Sequence, residues 1–542
     1  MSYVGQKIEI PLGKSGVRTD DANTDLQPGE LFRALNVDFY QGILQKAPGS
    51  RIWNKDPVTQ LSLPLPSSVV AVYDWYPVEG VKKVIAACSD GQLYLFKNPY
   101  QYSVIPPATN ADPAKLTMTE QPHFIAGGSQ TATMNRKLFF FSGSDIPQVI
   151  DGDTGVRRNI AKPAVEWKDG NFPKFGLIYR NKLFAIGHSG DPHLVLASTT
   201  VDAEDFQTFG GDPTTAYRIF PGDGEGVTSG FVYHSKLFIM KYPQGVYTLN
   251  DTDTTPTNWY FEKLNTSLGA ASSHSPAEVI DDVAVANQFG TVSMMSAAFQ
   301  LGQTKFADLM SNLRVESMVR AETRPMVRSA RWSLYYPDKK LALFTYQSSS
   351  GTIADRFVCV DFTSNKPKAH LLDKDKPMCL FLMKDDTEVQ VPAYGASDGN
   401  IYIMDDVNRL VGTGGYAFEF RIPYVDFNQQ THKIFDALEV ECEHTGLWDL
   451  LCDVHIDDYF SETIRFQMAN SNVLRKDRDD KCFKLDQDRL IGRQTKSVRR
   501  ALHGRGRRVA FRFYSNDLTG QNFKLTKLIV YARLGNEDKT SK

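Results

Sequence analysis

No apolar run in this chain approaches the ~18 residues that a membrane-spanning helix requires. Residues 1–12 include Gly5, Lys7, Glu9 and Pro11, so they show neither the basic start nor the apolar core of a secretory signal. Cysteine is scarce, with six in 542 residues (Cys88, Cys359, Cys379, Cys442, Cys452 and Cys482) and no C-x-x-C pair. That spacing argues against a zinc knuckle or a disulfide scaffold and predicts reduced thiols in a protein made in a cytoplasm. A net charge of −2 gives no overall drive towards nucleic acid or anionic membrane.

Signatures of catalysis are missing as well. The chain has no G-x-S-x-G elbow, no H-E-x-x-H helix, no G-x-x-x-x-G-K-[ST] loop and no S-x-D-x-G-x-x-W box. DGDTG at 151–155 opens like a calcium loop but lacks the third acidic position and the distal Glu, which leaves a β-turn. PGDGEG (221–226) and NDTDTT (250–255) read the same way. His188 and His193 share one loop-like segment and are expected to be solvated. Trp53, Trp75 and Trp259 are candidate stacking residues, but a core position suits each of them better. No catalytic, cofactor-binding or metal-ligating residue is therefore assigned.

Aromatic residues are plentiful, with 33 Phe and 23 Tyr, and they suit a pleated, half-buried surface. A turn pair followed by a short apolar strand recurs along the middle of the chain. The copies are SDGQLYLF, NRKLFFF, RNKLFAI, HSKLFIM, FGTVSMM, DKKLALF and SDGNIYIM. Their first apolar residues are Leu93, Leu138, Leu183, Leu237, Val292, Leu341 and Ile401, at spacings of 45, 45, 54, 55, 49 and 60 residues. Strand–turn–strand units at a period of ~40–50 residues usually pack radially, each sheet using its neighbours as its core. The expectation is an all-β chain with a β-propeller of six or seven blades, complete or not, over residues 67–411. TKFADLMSNLRVESMVRAETR (304–324) has helical spacing and predicts a helical insertion within it.

After the GTGG break at 412–415 the strands lose that spacing. Residues 412–535 predict a β-sandwich-like domain, and 536–542 a polar tail. Residues 492–511 hold Arg493, Lys496, Arg499, Arg500, Arg505, Arg507 and Arg508 without an acid. Such a run is a solvated loop or an assembly contact. The absence of interleaved aromatics disfavours stacking on single strands. KDRDDK (476–481), Asp486 and Asp488 could pair with it across subunits.

Residues 1–66 form an N-terminal segment with a predicted hairpin. LQPGELFRALNVDFYQGILQKAPG (26–49) alternates polar and apolar residues on either side of Gln41-Gly42. With its flanks, this stretch resembles the opening of the tail nozzle proteins (tail tubular protein B) of short-tailed bacteriophages. YRNKLFAIGHSGDPHLVLASTTVDAEDFQTF (179–209), with Ser198, Asp202, Asp205 and Phe206, is similar to a blade hairpin of that family. GRGRRVAFRFYSNDLTGQNFKLTKLIVYARLG (504–535) is similar to its last sandwich hairpin.

The resemblance implies a non-enzymatic structural virion protein. It would form a homohexameric ring of the tail nozzle below an adaptor and portal, a channel for DNA ejection that double-stranded DNA crosses transiently. Its outer surface would meet tail fibres or spikes. The protein would be made in the host cytoplasm and reside in the virion tail, with no cofactor. The alternative is a propeller tail protein that binds a host surface or glycan, and behind it a glycan-cleaving enzyme.

Overall fold

The computed structural model describes the chain except residues 1–4, 14–15, 21–25, 27–28, 40–41, 79–80, 119–120, 128–135, 208–214, 265–267, 288–289, 296–306, 318, 320–330, 349–353, 365–366, 385–387, 428–430, 444–447, 469–473, 476–488, 491–494, 516–521 and 535–542. The side chains of a few further residues, Lys496 among them, are also not described. The protein is all-β and divides into many small sheets.

From Val69 to Asp406 the strands run as successive antiparallel meanders. Sheets 1 to 5 are the four-stranded units Val69–Val104, His123–Asn159, Phe175–Arg218, Gly226–Lys263 and Pro276–Asp308. A sixth meander, Ser333–Leu372, forms one end of a 9-stranded sheet. The seventh comprises Cys379–Lys384, Gln390–Gly395 and Ile401–Asp406, and the N-terminal strand Gly49–Ile52 supplies its fourth member. Each of the seven motif copies lies in a different one of these sheets. Leu138, Leu183, Leu237 and Leu341 sit on second strands, whereas Leu93, Val292 and Ile401 sit on third strands. That change of frame contributes to the uneven spacings.

Apolar cores lie between consecutive sheets, because each sheet has two faces to bury. Phe140 and Leu138 of sheet 2 pack with Ile85 of sheet 1, and Phe139 and Phe141 pack with Leu183 and Ala185 of sheet 3. Sheets 3 and 4 share Phe184, Ile239 and Tyr247, and sheets 4 and 5 share Phe238, Met240 and Val285. Sheets 6, 7 and 1 meet through Leu343, Tyr394 and Val84. The first strand of each sheet touches the first strand of the next, and that of sheet 7 touches that of sheet 1.

The segment Asp202–Phe206 ties sheet 3 to sheet 2. Glu204, 1% exposed, accepts hydrogen bonds from Lys137 Nζ at 2.6 Å, Arg158 Nη2 at 2.7 Å and the Ala161 amide at 3.0 Å. Burial opposes its charge, yet the Arg158 and Lys137 contacts outweigh it and hold the carboxyl below the usual range. Asp205 pairs with Lys162, and Phe206 packs 4.7 Å from Trp167. Glu204→Ala, which strands two cations, should cost about 3 kcal/mol in urea unfolding. An unchanged midpoint would show that the clamp is dispensable.

Apart from the short pair Leu474–Arg475 and Arg489–Leu490, the remaining strands form two sheets that share one core. The 9-stranded sheet continues from Lys368–Leu372 through Arg33–Leu35 to Glu419–Val425, Val509–Tyr514, Asp449–Ile456 and Tyr459–Gln467. A 6-stranded sheet contains Val37–Asp38, Leu44–Lys46, Lys524–Leu534, Lys433–Glu443, Thr495–Gly506 and Gln6–Pro11. Phe420 stacks on Phe513 at 4.9 Å, and Phe523 packs 4.4 Å from Phe418 within this core.

The predicted N-terminal hairpin is present, with Val37 opposite Lys46 and Asp38 opposite Gln45. The segment is woven into its surroundings. Leu35 pairs with Leu371 and Arg33 with Arg421, so one strand joins the sixth meander to the C-terminal strands. Strand pairing thus crosses the expected boundaries at 66 and 411. The GTGG break is a turn pinned to the seventh sheet, where Gly412 N–H donates to the Ser50 carbonyl at 2.7 Å.

The helical insertion expected at 304–324 is reduced in its described part to Leu309–Asn312 and a further turn around Glu316. Ala307–Asp308 is instead a strand completing sheet 5. Arg314 sits at φ 55, which ends the helix. Asp20 then accepts hydrogen bonds from the Glu316 and Ser317 amides at 3.0 and 2.8 Å, capping the second turn from the N-terminal segment. The rest of that stretch lies outside the described residues. The five described cysteines are buried.

Candidate assembly edge and central pocket

The basic run is a strand rather than a solvated loop. Thr495–Gly506 pairs with Lys433–Glu443 and forms the outer edge of its sheet. Val498 and Leu502 point into the shared core, which anchors the strand and leaves its other residues outside. Arg499 stands opposite Glu439 in the ladder and lies 4.1 Å over the Tyr531 ring, and the Tyr531 hydroxyl donates to Glu439 Oε2 at 2.7 Å. Arg500 reaches across to the Arg465 carbonyl at 3.1 Å. Arg508 pairs with Asp458 at 2.6 Å and covers the Tyr424 ring at 4.2 Å. Arg505 and Arg507 are exposed. Lys496 is placed only by its backbone, opposite Cys442. Arg493, KDRDDK, Asp486 and Asp488 lie outside the described residues.

Next to this edge the hairpin tip at Asp457-Asp458 exposes Tyr459 and Phe460, at 79% and 60%. The Asp457 carboxylate accepts the Arg507 and Arg508 amides at 3.0 and 3.1 Å, fixing the tip to the end of the basic strand. Exposed aromatics beside arginines match the composition of protein interfaces.

A second feature was not visible in the sequence. A pocket of about 900 Å³ opens where the first strands of sheets 2 to 5 begin. Its wall includes Gln121, Lys174, His193, Glu225, Thr228 and Ser273. Behind it, at the next positions along the chain, His123 stacks on Phe175 at 4.0 Å and His274 on Trp332 at 3.8 Å. The two imidazoles are 5.3 Å apart. His123 Nδ1 accepts the Gly176 amide at 3.3 Å, and burial pushes this imidazole down to about 3. Burial, then the neighbouring His123, also depresses His274 well below the ordinary histidine value.

PGDGEG is more than a turn. Asp223 binds Lys241 Nζ at 2.6 Å, and that fully buried ammonium also donates to the Phe220 carbonyl at 3.2 Å and meets His193 Nδ1 at 3.3 Å. Burial works against the Asp223 charge, but the Lys241 hydrogen bond and the Glu225 amide hold the carboxyl below its usual range. Burial, followed by Asp223 and Glu225, pushes the Tyr247 phenol up to about 12. Glu225 is 8% exposed, and its Oε2 has no hydrogen-bond partner.

His188 is likewise not solvated. It is 3% exposed, accepts the Trp167 indole N–H at 2.9 Å and donates through Nδ1 to the Leu194 carbonyl at 3.1 Å. Burial pushes it down to about 4. The turn at DGDTG holds, since Asp151 Oδ1 accepts the Asp153 and Thr154 amides at 2.8 and 3.1 Å. Trp53, Trp75 and Trp259 are at most 9% exposed. Among the described residues no group of three or more His, Cys, Asp or Glu is placed to hold a metal. No helix among them is long and apolar enough to cross a membrane.

No family model and no curated protein matches the chain. Solved structures similar to it include the extracellular domain of a hybrid two component system from B. thetaiotaomicron, at 9% identity and TM-score 0.43. That match covers 83% of this chain, which spans 59% of that domain's length. A BBS1N–ARL6DN complex matches at 8% identity and TM-score 0.38, over 67% of this chain and 96% of the other. The exo-beta-1,3-galactanase of Phanerochaete chrysosporium matches at 8% and 0.29, over 90% and 100%.

Proposed function

We propose that the chain is a structural subunit of a short-tailed phage nozzle, a seven-bladed β-propeller bound to a β-sandwich, and that it works without catalysis. One observation carries this reading. The stretch 26–49, which bears the family resemblance, supplies the strands that join the sixth meander to the C-terminal sheets. A segment used in this way serves architecture. Contacts between first strands from sheet 1 to sheet 7 and back support the propeller, and the core shared by the two C-terminal sheets supports the sandwich.

In a ring the subunits meet through unlike surfaces that close by rotation. The basic edge strand with the Tyr459-Phe460 tip is one such surface. The lumen would pass double-stranded DNA, while other faces would meet an adaptor or portal and fibres or spikes, in a virion tail. A chain of net charge −2 would not grip passing DNA, whereas a strongly basic lumen would.

Electron microscopy of the purified protein and of virions tests the assignment. Sixfold rings and matching tail density are expected, and a monodisperse monomer with no tail density would sink it. Arg507→Glu combined with Tyr459→Ser should abolish rings and leave the melting temperature unchanged. Rings that persist would remove this edge from the interface.

A further inference from the structure

We propose that the central pocket binds a neutral saccharide, with the Glu225 carboxylate accepting its hydroxyl hydrogens. The inference rests on the pocket alone and holds whether or not the chain forms a ring. Glu225 Oε2 is a buried acceptor without a donor, on a side chain that is 8% exposed and lines the cavity. Leaving such an atom unpaired costs about 1–3 kcal/mol. A ligand hydroxyl in the cavity would supply the missing donor.

The niche is held open by Gly245. A β-carbon there would stand 3.3 Å from Glu225 Oε2 and 3.3 Å from the Tyr247 hydroxyl. Lys241 cannot swing over to pair with Glu225, because Asp223, the Phe220 carbonyl and His193 already occupy it. The loop before the wall is shaped by glycine, with Gly222 and Gly224 at φ 88 and 77, and Gly224 lines the cavity beside Glu225.

Charge decides the ligand class. A cation approaching Glu225 would meet Lys174 on the same wall, and an anion approaching Lys174 would meet Glu225. A neutral molecule rich in hydroxyls satisfies both, donating to the carboxylate and accepting from the ammonium. The rest of the wall is mixed in the same way. Ser273 and Thr228 offer hydroxyl-lined surface, while Met118, Pro192, Tyr242 and Pro243 offer apolar surface suited to the C–H face of a pyranose ring. At about 900 Å³ the cavity has room for more than one sugar residue.

Saturation-transfer NMR on the full chain tests this with the methyl pyranosides of glucose, galactose, mannose, N-acetylglucosamine and rhamnose. Transfer to at least one of them is expected at millimolar concentration. Glu225→Ala and, independently, the wall-blocking Thr228→Trp should each weaken binding roughly tenfold or more. Glu225→Ala should melt at or above the wild-type temperature, because it removes a buried polar atom that has no partner. Absence of transfer from every sugar would overturn the proposal, as would binding that survives both substitutions. A fall of several degrees on Glu225→Ala would show a carboxylate held by the fold, and would also overturn it.

Discussion

Removal of residues 1–52 is expected to leave no soluble folded chain. The deletion takes four things at once. The seventh sheet loses Gly49–Ile52, whose Tyr402–Ile52 and Ile403–Arg51 pairings finish it. The 9-stranded sheet loses Arg33–Leu35, its only link between Lys368–Leu372 and Glu419–Val425 among the described residues. Lys524–Leu534 loses both Gln6–Pro11 and Leu44–Lys46. The core loses Leu31, Val37, Phe39 and Leu44, each at most 1% exposed, and each such side chain contributes about 2 kcal/mol through burial. That sum approaches the whole stability of an ordinary domain.

A single substitution should reveal the same dependence in milder form. A β-carbon on Gly49 would lie 2.3 Å from the Leu410 carbonyl oxygen and 2.5 Å from its nitrogen, both backbone atoms. Gly49→Ala should therefore cost about 2 kcal/mol by forcing Leu410 away from the strand. Soluble yield, protease resistance and urea midpoints read both variants. A truncated chain with the wild-type circular dichroism spectrum and midpoint would refute the closing role of this segment.

The second large effect is expected in acid. His188 and His370 are buried and His123 and His274 half-buried, and desolvation lowers the pKa of each, His123 to about 3 and His188 to about 4. Below the ordinary histidine value near 6.5 the unfolded chain takes up protons that the native chain refuses. Stability therefore falls as pH drops, by about 1.4 kcal/mol per pH unit for each group. At pH 5 His123 and His188 together should withdraw about 4 kcal/mol, with His274 and His370 acting in the same direction.

Glu204 and Asp223 respond in a more acidic window. Their carboxyls are held low in the native state, so their contribution is complete above the unfolded carboxylate value and is lost only as pH falls through the folded one. Urea midpoints at pH 7 and pH 5 separate the two windows. Equal midpoints would contradict the histidine account. The first structural casualty should be the N-terminal hairpin, because Phe39 packs edge-on to His370 at 5.7 Å.

Local patterns were legible in the sequence where local physics decides the outcome. The seven turn-plus-strand motifs each fall in their own sheet, since a Gly or Asn turn and an alternating apolar strand need no distant partner to be recognised. The hairpin at Val37–Lys46 was readable for the same reason. What could not be read are pairings across more than 300 residues. Nothing near Gly49 announces Asp406, and nothing near Leu35 announces Leu371.

The helical spacing at 304–324 misled because Leu309, Met310, Val315 and Val319 are indeed buried, but a left-handed Arg314 divides them. His188 was misread because its burial depends on the Trp167 indole, 21 residues away. Glu225 was hidden in a loop whose Asp and Gly content is that of any turn. Its burial, with Tyr247 brought near it from a later strand, is a product of the fold.

The pairing of Gln6–Pro11 with Lys524–Leu534 also governs how the chain can be made. A ribosome delivers the first of these strands long before the last, so the opening segment waits for its partner through nearly the whole of synthesis. Sheets 1 to 5 draw every strand from one contiguous stretch and can form as they emerge, while the enclosure around them stays unfinished. A chain that stops short of Lys524–Leu534 leaves Gln6–Pro11 and Leu44–Lys46 without that strand partner and is expected to be protease-sensitive. Completion of that sheet is thereby tied to the delivery of Lys524–Leu534, well after sheets 1 to 5 have all their strands.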